Sequence, residues 1–204
     1  MVLPIARAAF VKMHKSSKIA NFLLTFNKKY SIILIEKEKK TKRKGLMIMM
    51  NINKVIYFDM DGTLADFYGV DGWLDCLMAN NPFPYMAAKP LHNLNALARR
   101  LNNLQKMGWK IGIISWLSKN SNPAFDMAVT KAKRDWLKKH LASVEFDEIK
   151  IVPYGTPKST VGTFKGGILF DDETPNIIEW ENNGGRAFNP NEIFETLGRV
   201  RKAG

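Results

Sequence analysis

The chain has 204 residues, 46% of them hydrophobic, which is enough to bury the core of one catalytic-size domain. A formal net charge of +12 favours a nucleic-acid or membrane binder until the charge is located along the chain. Residues 1–50 carry 12 of the 31 basic and 2 of the 19 acidic residues, which leaves 19 basic and 17 acidic residues in 51–204. Residues 51–204 are therefore expected to form a nearly neutral domain, and the basicity belongs to a leader.

Residues 1–50 have the composition of a solvated tail. Its residues 36–45 form the lysine-rich run EKEKKTKRKG. We favour a disordered leader over an organellar targeting peptide or a nucleic-acid-binding arm. Another interpretation is that translation begins at Met47, Met49 or Met50, directly before the first predicted strand.

Cysteine and hydropathy patterns narrow the setting of the protein. Cys76 is the only cysteine, so neither an intramolecular disulfide nor a thiolate metal site is expected. Its apolar helical surroundings, GWLDCLMAN, predict a packed thiol. The longest apolar stretch is interrupted by Asn27, Lys28 and Lys29 and is too short for a bilayer. We expect a soluble protein in a reducing cytoplasm.

Short apolar runs in the domain predict strands, and the segments between them have helical spacing. The runs are VIYF (55–58), KIGIIS (110–115), EIKIV (148–152), GILF (167–170) and, more weakly, GRAF (185–188). Helical stripes pass through the leucines at 91, 94, 97, 101 and 104, through Phe125, Val129, Ala132 and Trp136, and along a last helix from Pro190. Uninterrupted hydrophobicity within the strands indicates that both sheet faces are covered. The sequence thus predicts an α/β fold with a doubly wound parallel sheet, and a small helical cap at about 68–90 after the first strand.

Polar side chains follow four of these predicted strands. They are Asp59 and Asp61 after the first, Ser115 at the end of the second, Lys158 a few residues after the third, and Asp171 and Asp172 after the fourth. Ligands of doubly wound sheets bind beyond the carboxyl ends of the strands, so these groups are expected to meet at one edge.

Such a set of groups suits phosphoryl transfer. Crowded carboxylates repel one another unless a cation compensates, and oxygen ligands without His or Cys favour Mg²⁺. Asp59 is placed to attack phosphorus, and Asp61, two residues on, points the same way and can hold a proton for the leaving oxygen. Ser115 and Lys158 supply a hydroxyl donor and a positive charge for the transferring group.

The order of these motifs resembles the haloacid-dehalogenase superfamily of aspartyl-phosphate phosphatases. The similarity covers roughly residues 54–190 and rests on DMDGT (59–63), Ser115, Lys158 and the Asp171-Asp172 pair. Within that superfamily the chain is most similar to the 5′(3′)-deoxyribonucleotidases. The segments that carry this similarity are LADF (64–67), RDWLKKHL (134–141), YGTPKS (154–159) and ILFDDE (168–173).

The resemblance implies a role for each acidic residue. Asp59 would be the nucleophile and a Mg²⁺ ligand, and Asp61 the general acid and base with its backbone carbonyl on the metal. Asp172 would be the third protein ligand of the metal. Asp171 would contact these ligands without binding the metal, or would reach the metal through a water molecule. A Mg²⁺-dependent phosphomonoesterase acting on a nucleoside monophosphate is implied, with another small phosphate ester as the alternative.

The phosphate site and the cap depart from the resembling family. Ser115 and Lys158 would bind phosphate, with Lys158 also neutralising Asp59. The family usually has Thr-Ser-Pro where this chain has Ser115-Trp116-Leu117-Ser118, and its cap is longer than residues 68–90. Five aromatic residues could stack on a base or fill the cap, and we favour packing: Phe67, Tyr68, Trp73, Phe83 and Tyr85.

Two other functions are compatible with parts of the pattern. A two-metal nuclease could use the same acidic residues, although such sites usually lack an essential lysine. A scaffold without catalysis could bind nucleic acid through residues 1–50. The complete motif set argues against the scaffold, and we expect no nucleic-acid partner, no membrane partner and a small phosphate ester as ligand.

Overall fold

The computed structural model describes residues 53–203, so the predictions for residues 1–50 lie outside the described part of the chain. In chain order the elements are β1 (Val55–Phe58), β2 (Ala65–Asp66), α1 (Trp73–Met78), α2 (Phe83–Ala87), β3 (Lys89–Pro90), α3 (Leu94–Lys106), β4 (Lys110–Trp116), α4 (Pro123–His140), β5 (Glu148–Val152), α5 (Lys158–Val161), β6 (Ile168–Phe170), α6 (Thr174–Asn182), β7 (Arg186–Phe188), a 3₁₀ turn (Pro190–Glu192) and α7 (Ile193–Ala203).

Five strands form a parallel sheet in the order β5-β4-β1-β6-β7. From the central strand β1 the chain runs outward through β4 to β5, and then returns to the other side of β1 for β6 and β7. The strand order therefore reverses between β1 and β6, which is where doubly wound sheets bind their ligands. The predicted α/β fold with a parallel sheet is confirmed.

Both faces of the sheet are covered, as the continuous strand hydrophobicity predicts. On β1, Ile56 and Phe58 face the larger core, which is filled by side chains of α3, α4 and α7. Val55 and Tyr57 alternate to the opposite face and pack with Trp180 of α6. All four β1 side chains are at most 1% exposed, so the strand is held rigidly from both sides.

The predicted cap is present as two short helices, α1 and α2. The chain enters and leaves it through β2 and β3, which form an antiparallel ribbon. Phe67 and Tyr85 pack against Phe125 and Val129 at the start of α4, so the cap rests on the core. Cys76 lies in α1 and is half-buried, whereas the sequence predicts a packed thiol.

None of the helices in the described range is long and apolar enough to cross a membrane. Local signals explain where two of the helices begin. The leucine stripe includes Leu91, but α3 starts at Leu94 because the Asn93 side chain accepts the Ala96 N–H and caps the helix. At the C-terminal end, Pro190 opens a 3₁₀ turn, and α7 follows from Ile193.

Candidate active site

The end of β1 delivers two carboxylates to the point where the strand order reverses. The Asp59 N–H donates to the carbonyl of Phe170 on β6 (2.9 Å), which fixes the Asp59 backbone beyond the strand. The chain then turns sharply, and the N–H groups of Leu64 and Ala65 both donate to the Met60 carbonyl (2.9 Å each). This turn fixes the backbone around Asp61.

Lys158 joins the ends of β1 and β6 through a buried ion-pair network. Its Nζ donates to Asp59 Oδ1 (2.7 Å) and to Asp171 Oδ2 (2.6 Å). The lysine is only 1% exposed, and it is the first residue of α5. Burial alone would lower the pKa of Lys158, but the two carboxylates outweigh burial and raise this pKa above its ordinary value.

Asp171 faces the interior, beneath the carboxyl edge of the sheet where β1, β4 and β6 end, which we call the reacting edge. It is fully buried, and besides Lys158 it accepts hydrogen bonds from the Asn176 side chain (3.1 Å) and from the Glu173 N–H (3.0 Å). Burial and the neighbouring Asp59 raise the pKa of Asp171, against the opposing effect of Lys158. Asp171 is thus placed to hold Lys158 in position beside Asp59.

A second buried lysine, Lys133 of α4, belongs to the site and is absent from the sequence predictions. It is 1% exposed, and its Nζ donates to Asp61 Oδ2 (2.7 Å), Ser115 Oγ (2.8 Å) and the Trp116 carbonyl (2.6 Å). One signal could have found it, because position 133 is one turn after Val129 and one turn before Leu137 on the apolar stripe of α4. A lysine on such a stripe needs a buried anion.

Ser115 is fully buried at the end of β4, next to the carboxyl end of β1. Its Oγ accepts from Lys133, and among the described residues no acceptor takes its own proton. The hydroxyl is therefore able to donate to a ligand. Burial raises the pKa of the Asp61 carboxyl, while its contact with Lys133 opposes this effect.

Asp172 is half-buried and has little compensation for its charge. Thr63 Oγ1 donates to it over a long 3.3 Å, and no lysine or arginine among residues 53–203 forms an ion pair with it. Burial, together with the charges of Asp59 and Asp171, raises the pKa of Asp172 to about 7. The backbone comes close here, since a Cβ at Gly62 would lie 2.6 Å from Asp172 Cγ.

These donors fit a Mg²⁺ ion. Asp172 carries an uncompensated charge, and the second oxygen of Asp59 has no hydrogen-bond partner among the described residues. Within residues 53–203, no three His, Cys, Asp or Glu side chains are grouped to hold a metal. A site with two carboxylates would be completed by the Asp61 carbonyl, water and substrate oxygens, which is how Mg²⁺ is usually bound.

The aromatic residues near the site divide into packed and exposed ones. Phe67 and Tyr85 are buried in the cap, as expected for packing, whereas Tyr68 and Phe83 are about half exposed. Trp116, directly after Ser115, donates from its indole N–H to the Thr156 carbonyl (2.8 Å). Its ring packs against the Tyr154 ring (4.9 Å between centroids). The Trp116 ring lies beside the Lys158 ammonium, so the two aromatic rings form a wall on that side of the lysine.

Comparisons with known proteins give only remote similarity. No protein-family model and no curated protein matches the sequence. Among solved structures, D,D-heptose 1,7-bisphosphate phosphatase from Burkholderia thailandensis is 16% identical, with a TM-score of 0.42, over 66% of this chain and 76% of that one. The B. bronchiseptica enzyme of the same name, complexed with magnesium and phosphate, is 12% identical, with a TM-score of 0.47, over 74% and 100%. Values this low assign no family, substrate or cofactor to the chain.

Proposed function

We propose that the chain is a Mg²⁺-dependent phosphomonoesterase of the haloacid-dehalogenase type that acts through an aspartyl-phosphate. The observation that carries the proposal is the pairing of Asp59 with the buried Lys158, beside Asp61 and at the reversal of strand order. The six groups named from the sequence lie at the carboxyl ends of β1, β4 and β6 and at the start of α5.

In the first half of the reaction, a carboxylate oxygen of Asp59 attacks phosphorus and the bond from phosphorus to the ester oxygen breaks. The leaving alkoxide takes a proton from Asp61. Ser115 donates its hydroxyl proton to a phosphoryl oxygen, and Lys158 contributes positive charge at the developing negative charge. Lys158 uses two of its three N–H donors on carboxylates, so one is left for the substrate.

In the second half, water attacks the phosphorus of the aspartyl-phosphate and gives its proton to Asp61. The bond between phosphorus and the Asp59 oxygen breaks, which restores the carboxylate and releases phosphate. Mg²⁺, held by Asp59, Asp172 and the Asp61 carbonyl, would neutralise charge on the phosphoryl oxygens. The two buried lysines count against a two-metal nuclease, because each already forms an ion pair with a carboxylate that a second metal would need: Lys133 with Asp61, and Lys158 with Asp59.

For the substrate we propose a nucleoside monophosphate. The support is the resemblance of LADF (64–67) and the later motifs to the deoxyribonucleotidases, together with aromatic surface beside the site. Tyr68 and Tyr154 are about half exposed there, so they are open to a planar group of the substrate. A screen of phosphate release from nucleotides, sugar phosphates and cofactor phosphates tests this choice.

The test of the chemistry is Asp59→Asn. An amide cannot attack phosphorus, so we expect Mg²⁺-dependent phosphate release to fall by about a thousandfold or more, equivalent to about 4 kcal/mol in the barrier. Asp135→Asn is the matched control, because Asp135 is on the outer side of α4 with a side chain 48% exposed. Turnover retained in Asp59→Asn would contradict the covalent mechanism.

A further inference from the structure

We propose that Lys133 is a positioning residue of this site, which sets the orientations of the Asp61 carboxylate and the Ser115 hydroxyl at the same time. The proposal rests on the proposed function, since it assigns Lys133 a part in the phosphatase reaction. No motif of the resembling family supplied it. It comes from three hydrogen bonds that one ammonium group makes beneath the reacting edge.

The hydrogen-bond inventory separates Lys133 from Lys158. An ammonium group has three N–H donors. Lys133 gives one each to Asp61 Oδ2, Ser115 Oγ and the Trp116 carbonyl, at 2.6–2.8 Å, so none is left for a phosphate oxygen. Lys133 therefore acts through its neighbours, in contrast to Lys158, which keeps one donor for the substrate.

The contacts of Lys133 determine which atoms of its neighbours remain available. It holds Asp61 by Oδ2, and no hydrogen bond within residues 53–203 engages Oδ1, so Oδ1 is the oxygen left to carry the proton. It occupies a lone pair of Ser115 Oγ, which directs the hydroxyl proton away from the ammonium and leaves it for phosphate. One cation thus prepares the proton donor and the phosphate donor together.

Packing keeps this cation in place. Lys133 lies on α4 between Val129 and Leu137, which are 0% and 2% exposed. Its Nζ is 5.1 Å from the centre of the buried Tyr85 ring of the cap. The Trp116 carbonyl anchors the ammonium at the end of β4. The lysine is therefore fixed by the helix, the sheet and the cap, which suits orientation of a partner rather than movement with a substrate.

The first test is Lys133→Met, assayed with Mg²⁺ on p-nitrophenyl phosphate and on an alkyl phosphate. Because misoriented Asp61 serves neither half-reaction, we expect kcat to fall by about a hundredfold on both substrates. Hydrolysis of the aspartyl-phosphate then limits the rate, so a burst of p-nitrophenol equal to the enzyme concentration and an accumulated phosphoenzyme are expected. Since p-nitrophenolate leaves without a proton, kcat/KM should fall far less for it than for the alkyl ester.

A matched control and a second background make the outcome decisive. Lys131→Met lies on the same helix, its side chain is 79% exposed, and it should leave both substrates unaffected. In an Asp61→Asn background, which also removes the buried charge that Lys133 neutralises, Lys133→Met should leave kcat within about threefold and raise KM through Ser115.

Each result supports or overturns the assignment. A further tenfold loss of kcat in the Asp61→Asn background would show that Lys133 acts elsewhere. So would equal losses of kcat/KM on both phosphate esters without a burst, because a merely structural role produces that result. If Lys133→Met does not fold, the Asp61→Asn background decides. Absence of turnover by the unaltered protein would overturn the proposed function and, with it, the role of Lys133.

Discussion

Single residues of the site carry charges that are buried before any ligand binds. Lys133 and Lys158 are each 1% exposed, and Asp171 is fully buried. Buried ion pairs are weak evidence for stability, because desolvation offsets the attraction between the charges. Losing one partner is costly, however, since it leaves an unpaired charge in the interior. These residues thus hold one another in a fixed geometry, which phosphoryl transfer requires.

Gly62 is the residue whose replacement should separate metal binding from stability. It has φ +73°, and a Cβ there would press on the Asp172 carboxylate. Gly62→Ala should cost about 1 kcal/mol of unfolding free energy from backbone strain. It should also displace Asp172 and raise the Mg²⁺ concentration for half-maximal activity by about tenfold. Urea denaturation and a Mg²⁺ titration of activity measure the two effects.

Gly108→Ala is the control for the stability lost through backbone strain alone. Gly108 has φ +83° in the turn between α3 and β4, and a Cβ there would meet nothing within 4 Å. The same strain is expected, with the Mg²⁺ requirement unchanged. An equal rise in the Mg²⁺ requirement in both variants would contradict the role of Gly62 in shaping the proposed metal site.

Sequence alone places the strand-end groups but misses the helix that serves them. Asp59 and Asp61 come just after β1, and Ser115 lies near the end of β4, so a local rule finds them. Lys133 is 72 residues from Asp61 and sits in the middle of α4, so its partner depends on how α4 packs on the sheet. The apolar stripe of α4 predicts that Lys133 is buried, but only the tertiary structure shows that its anionic partner is Asp61.

At the scale of secondary structure, α4 connects the cap to the reacting edge. Its apolar face holds Phe67 and Tyr85 of the cap, and one turn later it presents Lys133 to Asp61. Trp136 on the same helix donates to the Ala88 carbonyl where the chain leaves the cap (2.7 Å). Strand runs and helical stripes predict such elements well. Side chains that cap a helix set its ends, and the Asn93 cap is why α3 begins after Leu91, the first leucine of the stripe.

Asn122 caps α4, and its removal should weaken the helix without touching the site. Its side chain accepts the Phe125 N–H (2.9 Å) from an extended backbone. Asn122→Ala should lower the unfolding free energy by about 1 kcal/mol, because an N–H of the first turn loses its acceptor. Equilibrium urea denaturation measures this loss. Asn122→Asp keeps the acceptor and should keep the stability, and an equal loss in both variants would exclude the capping role.

At the scale of the whole molecule, the strand order creates both the site and its electrostatic cost. The reversal between β1 and β6 brings Asp59 and Asp61 beside Asp171 and Asp172, although about 110 residues separate the two pairs. Two lysines compensate three of these carboxylates through direct ion pairs, and Asp172 is the one left over. Its surroundings therefore favour either a proton or a cation at Asp172.

The uncompensated charge of Asp172 predicts how pH and Mg²⁺ act on the stability of the protein. The pKa of Asp172 is raised from its ordinary value to about 7, so the folded chain binds more protons than the unfolded one between about pH 4 and pH 7. Without metal, its contribution therefore falls as the pH rises through that window and is constant above it. In the proposed site Mg²⁺ binds the ionised carboxylate, so it should raise the melting temperature more at about pH 8 than at about pH 6.

Thermal unfolding with Mg²⁺ and with a chelator, at both pH values, measures this difference. Asp172→Asn isolates the residue from every other titrating group, because an amide neither binds the proton nor repels Asp59. In that variant the dependence of the Mg²⁺ effect on pH should be lost, and the metal-free protein should melt higher than the unaltered one at about pH 8. A Mg²⁺ effect of the same size at both pH values in the unaltered protein would mean that no carboxylate titrating near pH 7 holds the metal, which would remove Asp172 from the proposed site.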